Sequence, residues 1–162
     1  MKTLQHLLSP IKIRSLEIPN RLVMPPMGTG LGNDDSTVSE ANLAYIKRRA
    51  QSGVGLVITE ITCVHPSGLV SPHSLGVWDD KFIPGLTRMA DAIHAQGARV
   101  CMQLHHCGRE NYLFLKQKKA IGPSAIPSFI FGFMGPPREM TLDEIAEIIA
   151  AFGQGAKRAK AA

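Results

Sequence analysis

Cysteine is scarce in this chain, with three in 162 residues (Cys63, Cys101 and Cys107) and no C-x-x-C spacing among them. An odd, sparse set argues against a disulfide scaffold and for a reduced, cytoplasmic setting. No apolar run approaches the roughly 20 residues that a membrane helix needs. Met1-Lys2-Thr3-Leu4-Gln5-His6 has no apolar signal-peptide core. Aromatic residues are mostly missing from the basic clusters at Lys47-Arg48-Arg49, at Lys116, Lys118 and Lys119, and at Lys157-Arg158-Lys160. Without them the net charge of +5 reads as solvated helix faces rather than a nucleic-acid surface. The phosphate-loop pattern G-x-x-x-x-G-K-[ST] is absent as well. The last absence is a stop signal. Two helices end on glycine before an apolar strand, at Gln51-Ser52-Gly53 and at Ala95-Gln96-Gly97, but Lys157 to Ala162 has neither glycine nor strand after it.

What is present is a repeating pattern. With 44% hydrophobic and 19% charged residues the chain is globular. Ile11 to Ile18 alternates like a short hairpin. Arg21-Leu22-Val23-Met24 reads as a strand ended by Pro25-Pro26, with a glycine-rich loop from Met27 to Asp35. A first helix starts near Ser39, with Thr37 and Glu40 at capping-box spacing and Ser39 as the other cap, and with Leu43, Ile46 and Ala50 as its apolar stripe. A second strand runs from Gly55 to Glu60, and a second helix buries Leu86, Met89, Ala90 and Ile93. A third strand spans Val100 to Leu104, and a long loop follows from His105 to Glu139. Thr141 and Glu144 cap a third helix, whose expected buried stripe is Leu142, Ile145, Ile149, Phe152 and Ala156. A hairpin followed by three strand-helix units predicts a parallel α/β sheet. Either a small open sheet or the first part of an eight-fold barrel fits, and the missing helix stop favours the barrel.

Three strand ends collect the residues able to do chemistry, on the rim where parallel α/β folds bind ligands. They are Met24 to Thr29, Thr59 to Thr62, and Gln103 to Arg109. Gln103 is an amide in an apolar strand. It suits the edge of a planar heterocycle, or it is a core glutamine satisfied by backbone. Glu60 ends a buried strand and calls for an arginine partner or a role in a site. Adjacent His105 and His106 point to opposite strand faces, which argues against a shared metal. Arg109 suits a phosphate or substrate carboxylate, or lies free on the surface.

Several runs together carry a resemblance: Ile18-Pro19-Asn20-Arg21-Leu22-Val23-Met24-Pro25-Pro26-Met27, Gly53 to Glu60, Gln103-Leu104-His105-His106-Cys107-Gly108-Arg109, Gly122 to Ile126, and Pro137 to Thr141. In this order they resemble the old yellow enzyme family of FMN-dependent oxidoreductases, in its NADH:flavin oxidoreductase, enoate reductase and 2,4-dienoyl-CoA reductase branch. The resemblance implies that residues 1–162 form the N-terminal part of an FMN-binding TIM (β/α)8 barrel: the hairpin and the first three βα units, apparently truncated. It implies that Pro26, Met27, Gly28, Ile61 and Gln103 contact the flavin and that Arg109 meets substrate. Many relatives carry a small residue at the position of Ile61, and some carry cysteine or threonine at that of Gly28. The implied reaction moves hydride from NAD(P)H through FMN to an activated alkene, an α,β-unsaturated carbonyl compound. The family's catalytic histidine or asparagine pair follows the fourth strand, so no catalytic residue is assigned in this chain.

Three functional readings follow. The chain is the N-terminal part of an ene-reductase. Or it is a non-catalytic half-barrel that needs a complementing chain or self-association. Or it is an unrelated small α/β binding module. No nucleic-acid or membrane partner is expected.

Overall fold

The computed structural model describes residues 4–162 apart from 112–113, 115–116, 118 and 131. Lys116 and Lys118 of the middle basic cluster therefore lie outside the described residues. A short helix α1 (Gln5–Leu8), not anticipated from the sequence, precedes the expected hairpin. Strands β1 (Ile11–Ile13) and β2 (Leu16–Ile18) pair antiparallel around Arg14, whose φ of 53° makes the turn. Arg99 Nε donates to the Glu17 carbonyl at 2.9 Å, which fixes the hairpin at the N-terminal end of the main sheet.

That sheet is parallel throughout. Strand β4 (Leu56–Cys63) is its centre. On one side it pairs with β3 (Val23–Met24) through Val23 and Leu56, and with β5 (Leu75–Gly76) through Thr62 and Leu75. On the other side it pairs with β6 (Arg99–His105), from Leu56 and Arg99 to Cys63 and His105. β4 and β6 run past the C-terminal ends of their apolar runs, β3 is shorter than the expected Arg21 to Met24, and β5 lies in a stretch that the sequence marks only as loop. Asn20 clasps β3 to β4: its side chain accepts from Leu22 N at 3.0 Å and donates to the Gly53 carbonyl at 2.9 Å.

Helices α2 (Glu40–Ala50) and α3 (Ile83–His94) cover one sheet face. Val57, Leu75, Leu86, Met89, Ile93 and Ile46 lie at the centre of this core, with Val100, Met102 and Leu104 packed against it. A buried side chain of this size contributes about 1.5–3 kcal/mol, so this single face carries most of the stabilisation. Both helices end as expected, on Gly53 (φ 83°) and Gly97 (φ 82°). The cap of α2 is Ser39, whose Oγ accepts from Asn42 N at 3.0 Å. The Thr37–Glu40 box does not form, because the Thr37 hydroxyl is engaged by Asp35 at 2.6 Å.

The segment from 106 to 140 is less featureless than expected. Its strands β7 (Ile121–Gly122) and β8 (Arg138–Glu139) form a small parallel pair. Helix α4 (Leu142–Ala161) then starts on the expected capping box of Thr141 and Glu144. Hydrogen bonds from Arg138, then from the Thr141 amide, hold the Glu144 carboxyl down to about 2. The expected buried stripe of α4 holds only in part. Leu142 and Ile149 are 83% and 69% exposed and Phe152 is exposed too, while Ile145 is half-buried and Ala156 lines a groove with Met102 and Leu104. The helix docks instead through Gly155, where a Cβ would stand 2.9 Å from Val64 Cγ1, with Ala151 and Ala162 against the core. Small residues let the backbone approach the sheet edge, and this close approach turns the large apolar side chains away. Among the described residues no helix is long and apolar enough to cross a membrane.

Candidate active site

A bulge organises the C-terminal rim. Between two register pairs, Ile58 with Cys101 and Ile61 with Gln103, β4 advances three residues while β6 advances two. The extra residue shifts the alternation, so Ile61 takes the position beside Gln103. Leu56, Ile58 and Ile61 then share one sheet face with Arg99, Cys101, Gln103 and His105, the face opposite the helices. Thr59 stabilises the irregularity, accepting from Gln103 N at 3.3 Å and donating to the Glu60 carbonyl at 3.1 Å.

Gln103 stands in this row as the register partner of Ile61. Its Oε1 is buried and has no hydrogen-bond partner among the described residues. An orphaned acceptor of this kind costs about 1–3 kcal/mol. His105 Nε2, two residues on, is orphaned as well, and burial lowers the pKa of that ring. The rim therefore offers unmatched polar atoms that a ligand can satisfy.

The loop after β3 completes the rim. Pro26 is half-buried, Met27 is 53% exposed, and a Cβ added to Gly28 would meet nothing within 4 Å. The fold itself does not require glycine at position 28, and the space above its backbone is open. Thr29 anchors this loop to Glu60, which is only 6% exposed. The Glu60 carboxylate accepts from Thr29 N at 3.0 Å, from Thr29 Oγ1 at 2.6 Å and from Asn42 Nδ2 at 2.6 Å. Among the described residues no arginine reaches Glu60; a hydroxyl and two amide donors hold it.

Arg109 stands apart from the row, on a 3₁₀ turn (Gly108–Glu110), with Nε 3.5 Å from Glu110 Oε1. His106 faces away from His105, as strand alternation demands, and enters a hydrogen-bonded chain. Gly108 N donates to His106 Nδ1 at 3.0 Å, so the ring proton sits on Nε2, 2.9 Å from Ser67 Oγ. The Ser67 hydroxyl in turn donates to His65 Nδ1 at 2.7 Å, and His65 Nε2 lies 3.4 Å from Glu147. Burial first, then the nearby His65 and His105, push the His106 pKa down to about 4.

Thus Pro26, Met27 and Gly28 are tied through Thr29 and Glu60 to the strand that carries Ile61, and Ile61 is the register partner of Gln103. Sequence reasoning missed Asn42 and Ser67. The signal for Asn42 is an amide one turn into a helix, where asparagine is a poor helix former. Nothing local marks Ser67.

Fold and rim define a class: a parallel βα protein whose candidate site residues gather at the C-terminal ends of its strands. The profile of the NADH:flavin oxidoreductase / NADH oxidase family matches residues 6–162. An NADH oxidase of Thermoanaerobacter brockii is 41% identical over 159 residues, 97% of this chain and 24% of that protein. An NADPH dehydrogenase of Halalkalibacterium halodurans is 39% identical over 157 residues, 96% of this chain and 45% of that protein. A 2-naphthoyl-CoA reductase complexed with 2-naphthoyl-CoA superposes with a TM-score of 0.87 at 27% identity, over 96% of this chain and 26% of that one. The chain belongs to the NADH:flavin oxidoreductase / NADH oxidase family, the old yellow enzyme family. It spans a quarter to under half of the length of these relatives.

Proposed function

We propose that this chain supplies the hairpin and first three βα units of an FMN-binding (β/α)8 barrel, and with them one wall of the active site of an NAD(P)H-dependent ene-reductase. The observation that carries this reading is the orphaned, buried Oε1 of Gln103 on the rim. In this reading Gln103 accepts from, and donates to, the pyrimidine edge of the flavin, and Ile61 packs against the ring. The backbone of Pro26, Met27 and Gly28 lines its other side. Arg109 takes the carbonyl substrate or an anionic group of it, after leaving Glu110. FMN, when bound, supplies the hydride chemistry between NAD(P)H and an α,β-unsaturated carbonyl compound; the chain's own residues bind it, orient it and exclude water. The names of the relatives, an NADH oxidase, an NADPH dehydrogenase and a CoA-thioester reductase, agree in direction with nicotinamide as donor and a small organic acceptor. Three free thiols suit a reducing cytoplasm.

The test is an FMN titration of the wild-type chain and of Gln103→Leu, which keeps similar bulk, each with the rest of the barrel supplied. Loss of a buried partner weakens FMN binding by roughly tenfold or more. Equal affinity and an unchanged flavin potential remove Gln103 from the site.

A second reading, that the chain needs a complementing chain or a second copy, is favoured by the outward face of α4, with Leu142 at 83% and Ile149 at 69% exposure. The two readings are compatible, because a barrel wall needs the rest of its barrel.

A further inference from the structure

Glu60 is a buried carboxylate without a counter-ion. Among the described residues no lysine, arginine or histidine reaches it within ion-pair distance, yet it is 6% exposed. A buried charge persists only where other groups replace its water. Here those groups come from two separate elements. Thr29, in the rim loop, gives both its amide and its hydroxyl; Asn42, on α2, gives its side-chain amide. The Thr29 hydroxyl also accepts from Leu31 N at 3.2 Å, and Gly30 between them takes a φ of 63°. The turn at residues 29–31 is therefore folded around the carboxylate. Farther on, the loop is held by the Ser39 hydroxyl on the Leu31 carbonyl and by Gly32 N on the His73 carbonyl at 3.2 Å. Between Pro26 and Thr29 the anchors of this kind among the described residues all meet at Thr29: the two short contacts to Glu60, and a longer one from Asn42 Nδ2 to the Thr29 hydroxyl at 3.3 Å. The same bulge that sets Ile61 beside Gln103 frees Glu60 to point at this loop.

We propose that Glu60 is the positioning residue of the flavin-facing loop: through Thr29 it fixes the backbone of Met27 and Gly28 on the rim, in register with Gln103. This rests on the proposed flavin site. Geometry restricts replacements. Aspartate is shorter by one methylene and does not span to both Thr29 and Asn42. Glutamine keeps the reach but has only one acceptor oxygen. Its amide finds a use, because Asn42 Oδ1 is buried without a partner and can receive it if the Asn42 amide turns over. Leucine fills the space and holds nothing. The expected order of loop fixation is Glu, then Gln, then Asp and Leu.

The experiment combines FMN titration with amide hydrogen exchange at Thr29 and Leu31, on the wild-type chain, Glu60→Gln, Glu60→Leu and Thr29→Val, each with the rest of the barrel supplied. Val57→Ala is the control: it loosens the fully buried core on the helix-covered face of the sheet. The expected result is loss of Thr29 protection and FMN affinity weaker by at least roughly tenfold in Glu60→Leu, with partial rescue in Glu60→Gln. Val57→Ala should lower stability and leave FMN affinity unchanged. If Glu60→Leu fails to fold, Glu60→Gln and Thr29→Val carry the same test, and their effects must be non-additive because they act on one contact. Wild-type affinity and wild-type Thr29 protection in Glu60→Gln and Thr29→Val overturn the inference and leave the flavin site standing. A wild-type chain that takes up no FMN even when the rest of the barrel is supplied overturns the flavin reading itself.

Discussion

Lowering the pH should destabilise this fold through one identifiable ring. His106 is half-buried under Gly68, where a Cβ would stand 2.7 Å from the ring. Its Nδ1 accepts from Gly108 N, so a second ring proton would set two donors face to face. Burial, His65 at 6.4 Å between ring centroids, and His105 all oppose the added charge, and the folded-state pKa falls from 6.5 to about 4. The unfolded chain therefore takes up the proton first. Stability from this group is intact above pH 6.5, falls as the pH drops, and is fully lost near pH 4. The full shift sets a ceiling of about 3 kcal/mol; discounted for the solvent that still reaches the ring, the expected loss is on the order of 1–2 kcal/mol. Urea unfolding of wild type and His106→Asn, at intervals from pH 7 to 4, measures it. Asparagine keeps an acceptor for Gly108 N and cannot be protonated. Carboxylates and His105 titrate in both proteins, so the difference between the two curves isolates His106. The curves should converge as the pH falls. Parallel curves would refute the argument, as would an NMR titration of the His106 ring with a midpoint near 6.5.

Gly55→Ala should cost about 1–3 kcal/mol, because the new Cβ would sit 2.6 Å from the Asn20 carbonyl oxygen in the clasp between β3 and β4; thermal unfolding reports it, and a change below 0.5 kcal/mol counts against the clasp. Sedimentation of the wild-type chain at micromolar concentration should show self-association through the outer face of α4. Ile149→Ser with Phe152→Ser should shift it toward monomer with little loss of intrinsic stability, whereas a wild-type chain already monomeric would show that this face tolerates water.

Much of the fold is legible because the relevant signals are local. Gly53 and Gly97 mark helix ends by a backbone conformation that other residues adopt only with strain, and both have positive φ. Parallel strand order follows from alternating strands and helices, and the pairings of β4 with β3 and β6 agree. The error on α4 is instructive for the same reason. Periodicity tells that a helix has an apolar face but not what lies opposite it. Leu142, Ile149 and Phe152 do form one stripe, yet Gly155 is the residue that meets Val64 and Val77. A pattern of small residues competes poorly for the reader's eye with a row of large ones, although closest approach belongs to the small ones.

The rim was legible only in part, and the bulge explains the division. A sequence read at period two puts Ile58, Glu60 and Thr62 on one face and Thr59 and Ile61 on the other. That assignment would send Glu60 into the row beside Gln103 and turn Ile61 toward the helices. The extra residue in β4 reverses both: Ile61 is the register partner of Gln103, and Glu60 reaches Thr29 and Asn42 instead. Nothing in Ile58-Thr59-Glu60-Ile61 announces the irregularity, since it is stabilised at a distance, by Gln103 N on the Thr59 hydroxyl. Resemblance could assign Ile61 and Gln103 to one flavin site because it carries three-dimensional information that a single sequence lacks. What it could not supply is why the arrangement holds: a carboxylate, a threonine and a helix asparagine, far apart in sequence, that are satisfied only in one another's company.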